Sequence, residues 1–236
     1  MRPNIEYYIN RWFWMGVDLL YPPSCVGCEK LGVVLCPSCL AKIKKISPPF
    51  CICCGAKITN GNICSNCEVM PLKISAIRSW AYYDDITRKA LHQLKYRRNL
   101  ALGETFSHFL SELIKNTDWK IDVITPIPLG RGRYRERGYN QAALLAKPVA
   151  NKLNIPYRPK IVHRWRETRS QVDLTLSERK NNVAGAFKAN RDLALGKRVL
   201  IIDDITTSGS TLISCAESLI DAGAKAVYGV TVARAG

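Results

Sequence analysis

The stretch Val199–Leu212 has the sequence VLIIDDITTSGSTL, and it decides the fold of this chain. Four apolar residues lead into two adjacent aspartates, Asp203 and Asp204, and a loop of small hydroxyl residues around Gly209 follows. A short apolar run of this kind is typical of a buried strand in a parallel sheet. Ligands bind beyond the carboxyl ends of such strands, so we expect both carboxylates and the loop to face one site.

The loop after Asp204 has the residue types that bind a phosphate group. A glycine lets the backbone approach an anion closely, and backbone N–H groups and hydroxyls donate to it, favoured by the dipole of the next helix. Carboxylates, in turn, accept hydrogen bonds from sugar hydroxyls. The stretch therefore predicts a sugar-phosphate site in which Asp203 and Asp204 hold ribose hydroxyls. The residues predicted to bind the 5′-phosphate are Thr206, Thr207, Ser208, Gly209, Ser210 and Thr211.

Two other phosphate-binding signatures are missing from the sequence. Neither the P-loop pattern GxxxxGK[ST] nor the dinucleotide pattern GxGxxG occurs in it. One alternative stays open at this point: the hydroxyl cluster could cap the next helix, with both aspartates solvated at the surface.

Strand and helix patterns alternate from residue 71 onward, which predicts an α/β fold with a mostly parallel central sheet and flanking helices. The predicted strands are ISAIRSWAYY (74–83), IDVITPIPL (121–129), RVLIIDDI (198–205) and AVYGVTVARA (226–235). The predicted helices are DITRKALHQLKYR (85–97), ALGETFSHFLSELIK (101–115), YNQAALLAKPVANKL (139–153, interrupted or kinked at Pro148) and TLISCAESLIDAG (211–223).

Nine of the ten cysteines lie between Cys25 and Cys67, mostly as C-x-x-C pairs, which indicates metal binding and not disulfides. Each pair can supply half of a tetrahedral zinc site, and all-thiolate sites are structural. We favour sequential pairing, although interleaved pairing stays open; Cys53 is spare and Cys215 is predicted to be core. The two predicted Zn²⁺ sites are Cys25, Cys28, Cys36, Cys39 and Cys51, Cys54, Cys64, Cys67.

The chain divides by composition into two predicted domains. Residues 1–70 hold an amphipathic helix (3–21) and the cysteine module, and residues 71–236 hold the α/β domain. No apolar run approaches the length of a membrane span, and the first residues lack a signal-peptide pattern, so we expect a cytoplasmic protein.

The chain is strongly basic, with a formal net charge of +16 from 35 basic and 19 acidic residues. If eight thiolates bind two zinc ions, that charge falls to about +12. Such an excess favours a polyanionic partner or a phosphorylated substrate over an ordinary soluble surface.

Several motifs, in order, resemble the ComF family of phosphoribosyltransferase-like proteins. They are the loop DDITTSGST (203–211), which is similar to the phosphoribosyl-pyrophosphate motif of type I phosphoribosyltransferases, and the segments PIPLGRGRYRERGYNQA (126–142), RETRSQVDLTLSERKNNVAGAF (166–187) and ALHQLKYR (90–97). The four cysteine pairs resemble the double zinc ribbon that precedes the transferase domain in this family. The resemblance implies that Asp203 and Asp204 hold the ribose hydroxyls of phosphoribosyl pyrophosphate, which binds with Mg²⁺.

The resemblance also implies two basic loops beside the pocket. A cluster of arginines suits a diphosphate leaving group, and equally a nucleic-acid backbone. The first loop holds Arg131, Arg133, Arg135, Arg137, Gly138, Asn140 and Gln141, and the second, mobile loop holds Arg164, Arg166, Thr168, Arg169 and Gln171.

Two functions follow as hypotheses. The first is a phosphoribosyltransferase that binds phosphoribosyl pyrophosphate or a related ribose phosphate, transfers to an unknown acceptor, and acts in natural competence, the uptake of single-stranded DNA. The second is a non-catalytic, nucleic-acid-binding factor for DNA uptake that retains the phosphoribosyltransferase fold. The family resemblance implies contact with the competence machinery, which would place the protein peripherally at the inner membrane.

Overall fold

A computed structural model describes residues 22–69, 72–166 and 184–235. The chain forms two compact units, Met1–Ile43 and Lys44–Gly236. The helix predicted over residues 3–21 lies outside the described residues. The domain boundary at residue 70 stays a prediction, and the structure groups residues 44–69 with the second unit.

The first unit is built around its cysteines. An antiparallel bridge joins Ser24 to Leu31, and helix α1 (Pro37–Lys42) follows. Cys36 is the N-cap residue of α1, and Cys39 lies buried in its first turn.

The second unit contains a four-stranded parallel sheet, which confirms the predicted fold class. Its strands are β1 (Ala76–Tyr82), β2 (Val123–Pro126), β5 (Arg198–Thr206) and β6 (Ala226–Arg234), in the order β1-β6-β5-β2. A second, antiparallel pair consists of β3 (Val162–Arg164) and β4 (Phe187–Ala189). Strand β5 is long and lies inside the sheet. Asp203 and Asp204, near its carboxyl end, therefore lie at the end of the sheet where ligands bind.

The helices in the described residues of the second unit are α2 (Ser65–Val69), α3 (Asp85–Tyr96), α4 (Leu100–Lys115), α5 (Arg131–Arg137), α6 (Gln141–Leu153), α7 (Arg191–Ala194) and α8 (Ser210–Asp221). The four predicted helices are present as α3, α4, α6 and α8, and the sequence did not predict the other three. Polar side chains cap four of these helices: Asp84 forms a capping box with Thr87 at α3, while Asn99, Asn140 and Asn190 cap α4, α6 and α7. Helix α6 runs through Pro148 as one element.

The two faces of β5 pack against different partners. Val199 and Ile201 belong to a buried cluster with Cys215 and Leu219 of α8, which confirms that Cys215 is a core residue. Leu200 and Ile202, fully buried as well, point to the opposite face because side chains alternate along a strand. The strand is therefore buried on both sides, as its continuous apolar sequence predicts.

Helices α4 and α6 approach each other closely at Gly103. A Cβ atom at this position would lie 2.7 Å from the carbonyl oxygen of Leu144 and 3.3 Å from its Cβ. Both distances are shorter than an ordinary contact, so only glycine fits there without moving a helix.

We expect Gly103→Ala to lower the free energy of unfolding by about 2 kcal/mol, because the backbone clash outweighs the better helix propensity of alanine. Urea unfolding at neutral pH measures the difference. His108→Ala, at an exposed position of the same helix, is the control and should change stability by less than about 0.5 kcal/mol. A Gly103→Ala protein as stable as the wild type would contradict the tight packing.

Candidate functional site

A cavity of about 650 Å³ opens at the carboxyl ends of β2 and β5. The stretch Asp203–Leu212, apart from Ser208, lines one side of it, and the segment after β2 together with α5 lines another. Further lining residues are Lys95, Tyr96, Gln141 and Arg164. The cavity therefore brings together most of the predicted residues at the end of β5 with Arg133 and Arg137 of α5.

The two aspartates are buried in the wall of this cavity: Asp203 is 8% exposed and Asp204 is 2% exposed. The backbone N–H of Asp204 donates to Asp203 Oδ1 at 2.8 Å. Gln141 Nε2 donates to Asp204 Oδ1 at 3.3 Å, and Lys95 Nζ lies 2.9 Å from Asp204 Oδ2. The alternative in which both aspartates are solvated at the surface is therefore wrong.

The two carboxyl groups differ in their affinity for a proton. Burial and the neighbouring charge of Asp204 raise the pKa of Asp203 well above its ordinary value. Burial also acts to raise the pKa of Asp204, but Lys95 and the hydrogen bonds outweigh it and hold that pKa below its ordinary value. Asp203 therefore keeps its proton to a higher pH than a free aspartate, while Asp204 is ionised and balanced by Lys95.

The loop after β5 is shaped to receive an anion. Gly209 has φ +80°, a left-handed conformation that side chains rarely adopt, and it forms the N-cap of α8 without any side-chain cap. Among the described residues, the amide N–H groups of Thr207, Ser208 and Gly209 have no acceptor. The Ser208 hydroxyl accepts from the amide of Ser210, the first residue of α8, at 3.4 Å, so this part of the capping alternative stays open.

The hydroxyls of the loop differ in their partners. Thr206 Oγ1 is buried and has no hydrogen-bond partner in the described ranges. Ser208 Oγ and Ser210 Oγ lie 2.7 Å apart and bond to each other. Ser208 does not line the cavity, whereas Thr207, Ser210 and Thr211 do.

The first basic loop of the sequence analysis is wrong as a loop: its four arginines lie in helix α5, Gly138 ends that helix, and Asn140 and Gln141 begin α6. Arginine, glutamate and tyrosine tolerate a helix, and Gly138 in a left-handed conformation ends it. Helical spacing then separates the arginines, since residues four apart share a face. Arg133 and Arg137 line the cavity, and Arg131 and Arg135 do not.

The end of α5 is tied to the wall of the cavity. Arg137 Nη1 donates to Gln141 Oε1 at 3.0 Å, and its guanidinium lies 5.0 Å from the centre of the Tyr96 ring. The side chain of Asn140 donates to the carbonyl oxygen of Ile127 at 2.8 Å and so positions the segment after β2. Gln141, which bonds both Arg137 and Asp204, links the arginine helix to the acid pair.

The second predicted loop is described only in part. Arg164 was predicted in this loop, but it is the last residue of strand β3, paired with Phe187 of β4, and it lines the cavity. Arg166 donates to the carbonyl oxygen of Ala184. Thr168, Arg169 and Gln171 lie outside the described residues, so their placement stays a prediction.

Sequence reasoning did not single out two residues that line the cavity, Lys95 and Tyr96. Both belong to the ALHQLKYR segment, whose likeness to a family element was the available signal. No local pattern reveals that Lys95 pairs with Asp204, because the contact joins distant parts of the chain.

The cysteines form two four-membered clusters, and sequential pairing is confirmed. The sulfur atoms of each set lie within 4.8 Å of one another, and the described residues hold no other group of three or more potential ligands this close together; the sets are Cys25, Cys28, Cys36, Cys39 and Cys51, Cys54, Cys64, Cys67.

The spacing of these sulfur atoms fits zinc. The Sγ atoms of Cys28 and Cys36 are 3.6 Å apart and those of Cys54 and Cys64 are 3.7 Å apart. A tetrahedral zinc ion with Zn–S bonds of about 2.3 Å separates its ligands by about 3.8 Å. Four thiolates leave no position for water, so both are structural Zn²⁺ sites, and Cys53 is not a ligand.

Within the described ranges, every helix is too short or too polar to span a bilayer.

Comparisons with known proteins agree with this geometry. The sequence model of the phosphoribosyl transferase domain matches residues 92–236, and that of the double zinc ribbon domain matches residues 16–68. Competence protein ComFC of Bacillus subtilis is 30% identical over 217 residues, 89% of this chain and 84% of that protein. DNA utilization protein YhgH of Escherichia coli K12 is 29% identical over 199 residues, 82% of this chain and 87% of that protein.

Among solved structures, the glutamine phosphoribosylpyrophosphate amidotransferase of B. subtilis, complexed with ADP and GMP, is similar. It has 20% sequence identity and a TM-score of 0.41, and the match covers 58% of this chain and 30% of that one. The assignment of the family rests on the sequence matches.

We expect Lys95→Met to destabilise the protein at about pH 8 by about 3 kcal/mol, because it leaves a buried carboxylate without its cation. The lowered pKa of Asp204 contributes stability above its ordinary value of 3.8, and this contribution is lost as the pH falls through the folded-state pKa. Without Lys95 that pKa rises, so the loss should shrink at about pH 5, where the carboxyl takes up a proton. Urea unfolding at both pH values measures the change in the free energy of unfolding.

The double variant Lys95→Met/Asp204→Asn is the control, because it removes both charges and should recover most of the stability. An equal loss at both pH values, or no recovery in the double variant, would contradict the ion pair.

Proposed function

Because this chain belongs to the ComF family of proteins with a double zinc ribbon and a phosphoribosyltransferase domain, we propose that its cavity binds phosphoribosyl pyrophosphate or a related ribose phosphate. The observation that carries the proposal is the burial of Asp203 and Asp204 in the same cavity wall as a loop with unused amide groups. A buried acid pair beside an anion-binding turn suits a ligand that carries both hydroxyls and a phosphate.

The 5′-phosphate binds at the turn between β5 and α8. The amide groups of Thr207, Ser208 and Gly209 donate to its oxygens, together with Thr206 Oγ1, which has no partner in the described part of the chain. The dipole of α8, a helix of 12 residues, favours negative charge at this end. The pentose then lies over the end of β5, where Asp204 accepts from its hydroxyl groups.

The diphosphate lies toward α5, where Arg133 and Arg137 face the cavity. The Nε atom of Arg137 is buried and has no partner among the described residues, so it is available to a ligand oxygen. Carboxylate oxygens are ligands that Mg²⁺ prefers; Asp204 offers an ionised carboxylate, Asp203 would offer a second one on loss of its proton, and the ion, when bound, would neutralise charge on the diphosphate.

The reaction we propose is transfer of the phosphoribosyl group to an acceptor. The bond between C1 of the ribose and the diphosphate oxygen breaks, and its electron pair leaves with the diphosphate. A lone pair of the acceptor forms the new bond to C1, and the acceptor gives up a proton. Asp204 stabilises the positive charge that develops on the ribose, and Arg133 and Arg137 stabilise the negative charge that develops on the leaving group.

The relatives named for competence and DNA utilization support a role of this protein in competence, in the uptake of single-stranded DNA. A second candidate function is binding of single-stranded nucleic acid without turnover. It is favoured by the net charge of +16 and by the outer face of α5, where Arg131 and Arg135 flank Tyr134, which is 53% exposed.

We expect Asp204→Asn to weaken binding of phosphoribosyl pyrophosphate with Mg²⁺ at least about tenfold, because a ribose hydroxyl loses a charged acceptor. Affinity for single-stranded DNA should stay the same or rise, since a negative charge is removed. Calorimetric titration measures the first affinity and fluorescence anisotropy the second.

Asp122→Asn is the matched control for this variant. It also removes one carboxylate from an ion pair, with Arg198 at 2.6 Å, but Asp122 does not line the cavity. Its affinity for phosphoribosyl pyrophosphate should equal that of the wild type. Wild-type affinity in Asp204→Asn would reject the ribose-phosphate site.

The two faces of α5 offer a second test with equal changes of charge. The double variant Arg133→Ala/Arg137→Ala should weaken binding of phosphoribosyl pyrophosphate at least about tenfold. The double variant Arg131→Ala/Arg135→Ala should leave this affinity unchanged. The outer pair should instead lower the slope of log affinity for single-stranded DNA against log salt by about 1.4. An unchanged slope would place the nucleic acid on another surface.

A further inference from the structure

The second cysteine cluster packs directly on the edge strand of the transferase sheet, within the unit Lys44–Gly236. The carbonyl oxygen of Cys53, in the turn between the ligands Cys51 and Cys54, accepts from the backbone N–H of Ile77 in β1 at 2.7 Å. The turn therefore provides a hydrogen bond that an edge strand otherwise lacks.

Two further contacts show that this packing is close. A Cβ atom on Gly55 would lie 2.7 Å from the carbonyl oxygen of Ile77, so backbone meets backbone there. Arg234, at the end of β6, donates from Nη1 to the carbonyl oxygen of Cys54 at 2.8 Å. The cysteine turn is thus bonded to two strands of the sheet.

Ile77 reaches from this turn to the anion-binding loop. Its backbone bonds to Cys53, and its side chain is buried at 1% exposure. The Cδ1 atom of Ile77 lies 3.2 Å from the point where a Cβ on Gly209 would sit. Gly209 is the residue at which the loop turns into α8, so a shift of Ile77 would move the loop.

Arg234 gives a second connection to the same loop. It lies in register with Thr206, the last residue of β5, and the next amide, that of Ala235, donates to the carbonyl oxygen of Thr206 at 2.9 Å. Both ends of the loop, Thr206 and Gly209, are therefore supported by residues that contact the cysteine turn.

We propose that the second zinc cluster is a positioning element of the ribose-phosphate site. Cys53, Gly55, Ile77 and Arg234 hold the loop between β5 and α8 in the shape that points its amides at the phosphate. This inference rests on the function proposed above, since it assigns the zinc ribbon a part in that site. Donors held in place before binding need no rearrangement, so loss of the support weakens the anion site.

The first experiment compares two cysteine substitutions in the same turn. Cys54→Ser removes a zinc ligand, whereas Cys53→Ser keeps all four ligands and the backbone carbonyl group. Amide hydrogen exchange is followed by NMR at Ile213, bonded to the carbonyl oxygen of Gly209, and at Ala235, bonded to that of Thr206. Cys54→Ser should speed exchange at both amides at least about tenfold while the amides of α4 keep their protection, and Cys53→Ser should change neither.

The second experiment avoids the risk that loss of a zinc ligand unfolds the domain. Ile77→Val removes only the Cδ1 atom that touches Gly209, and Ile114→Val makes the same deletion at another buried position, on α4. Both substitutions should lower the free energy of unfolding by a similar amount. Only Ile77→Val should weaken binding of ribose 5-phosphate, by about threefold to tenfold in the calorimetric dissociation constant, as expected for loss of less than about 1.4 kcal/mol.

The outcomes separate this inference from the proposed function. If the wild type binds neither phosphoribosyl pyrophosphate nor ribose 5-phosphate, the proposed function is rejected. Amide exchange at Ile213 and Ala235 then still shows whether the second zinc cluster holds the loop between β5 and α8 in place. Unchanged exchange at both amides in a folded Cys54→Ser protein and in Ile77→Val overturns the inference. So does an equal loss of ribose 5-phosphate affinity in Ile77→Val and Ile114→Val.

Discussion

The burial of two adjacent carboxyl groups beside a single lysine is the constraint on which the site depends. A carboxylate without a partner is costly in a protein interior, and two side by side are costlier. The structure meets this cost by pairing Asp204 with Lys95 and Gln141, and by leaving Asp203 to keep its proton. Helix α3 must end where Lys95 can reach Asp204, and α6 must begin where Gln141 can reach the same carboxyl group. The arrangement of the helices around the sheet is therefore tied to the same pair of acids.

The second cysteine cluster contributes to this arrangement at the β1 edge of the sheet. Strand β1 is an edge strand, and such edges expose unpaired backbone groups. Residues 44–46 and the turn at Cys53 cover it, through bonds such as that from Ile46 N–H to the carbonyl oxygen of Trp80 at 3.0 Å. A small module with a metal in place of a core can thus protect a strand that has a neighbouring strand on one side only.

Local sequence patterns predicted those parts of the fold that local physics determines. The apolar run before Asp203 specifies a buried central strand, and the spacing of cysteine pairs specifies two tetrahedral sites, which the structure confirms. The arginine segment was harder, because its residues suit a loop or a helix equally, and the helix decides which arginines face the cavity. Lys95 could not be predicted as the partner of Asp204, since the contact depends on how α3 packs against the sheet.

The raised pKa of Asp203 has a consequence for how a ligand would bind. A carboxyl group that keeps its proton because of burial and a neighbouring charge releases it when positive charge arrives nearby. Binding of a cation beside Asp203 would therefore be coupled to release of this proton, and the measured heat of association would include the ionisation of the buffer.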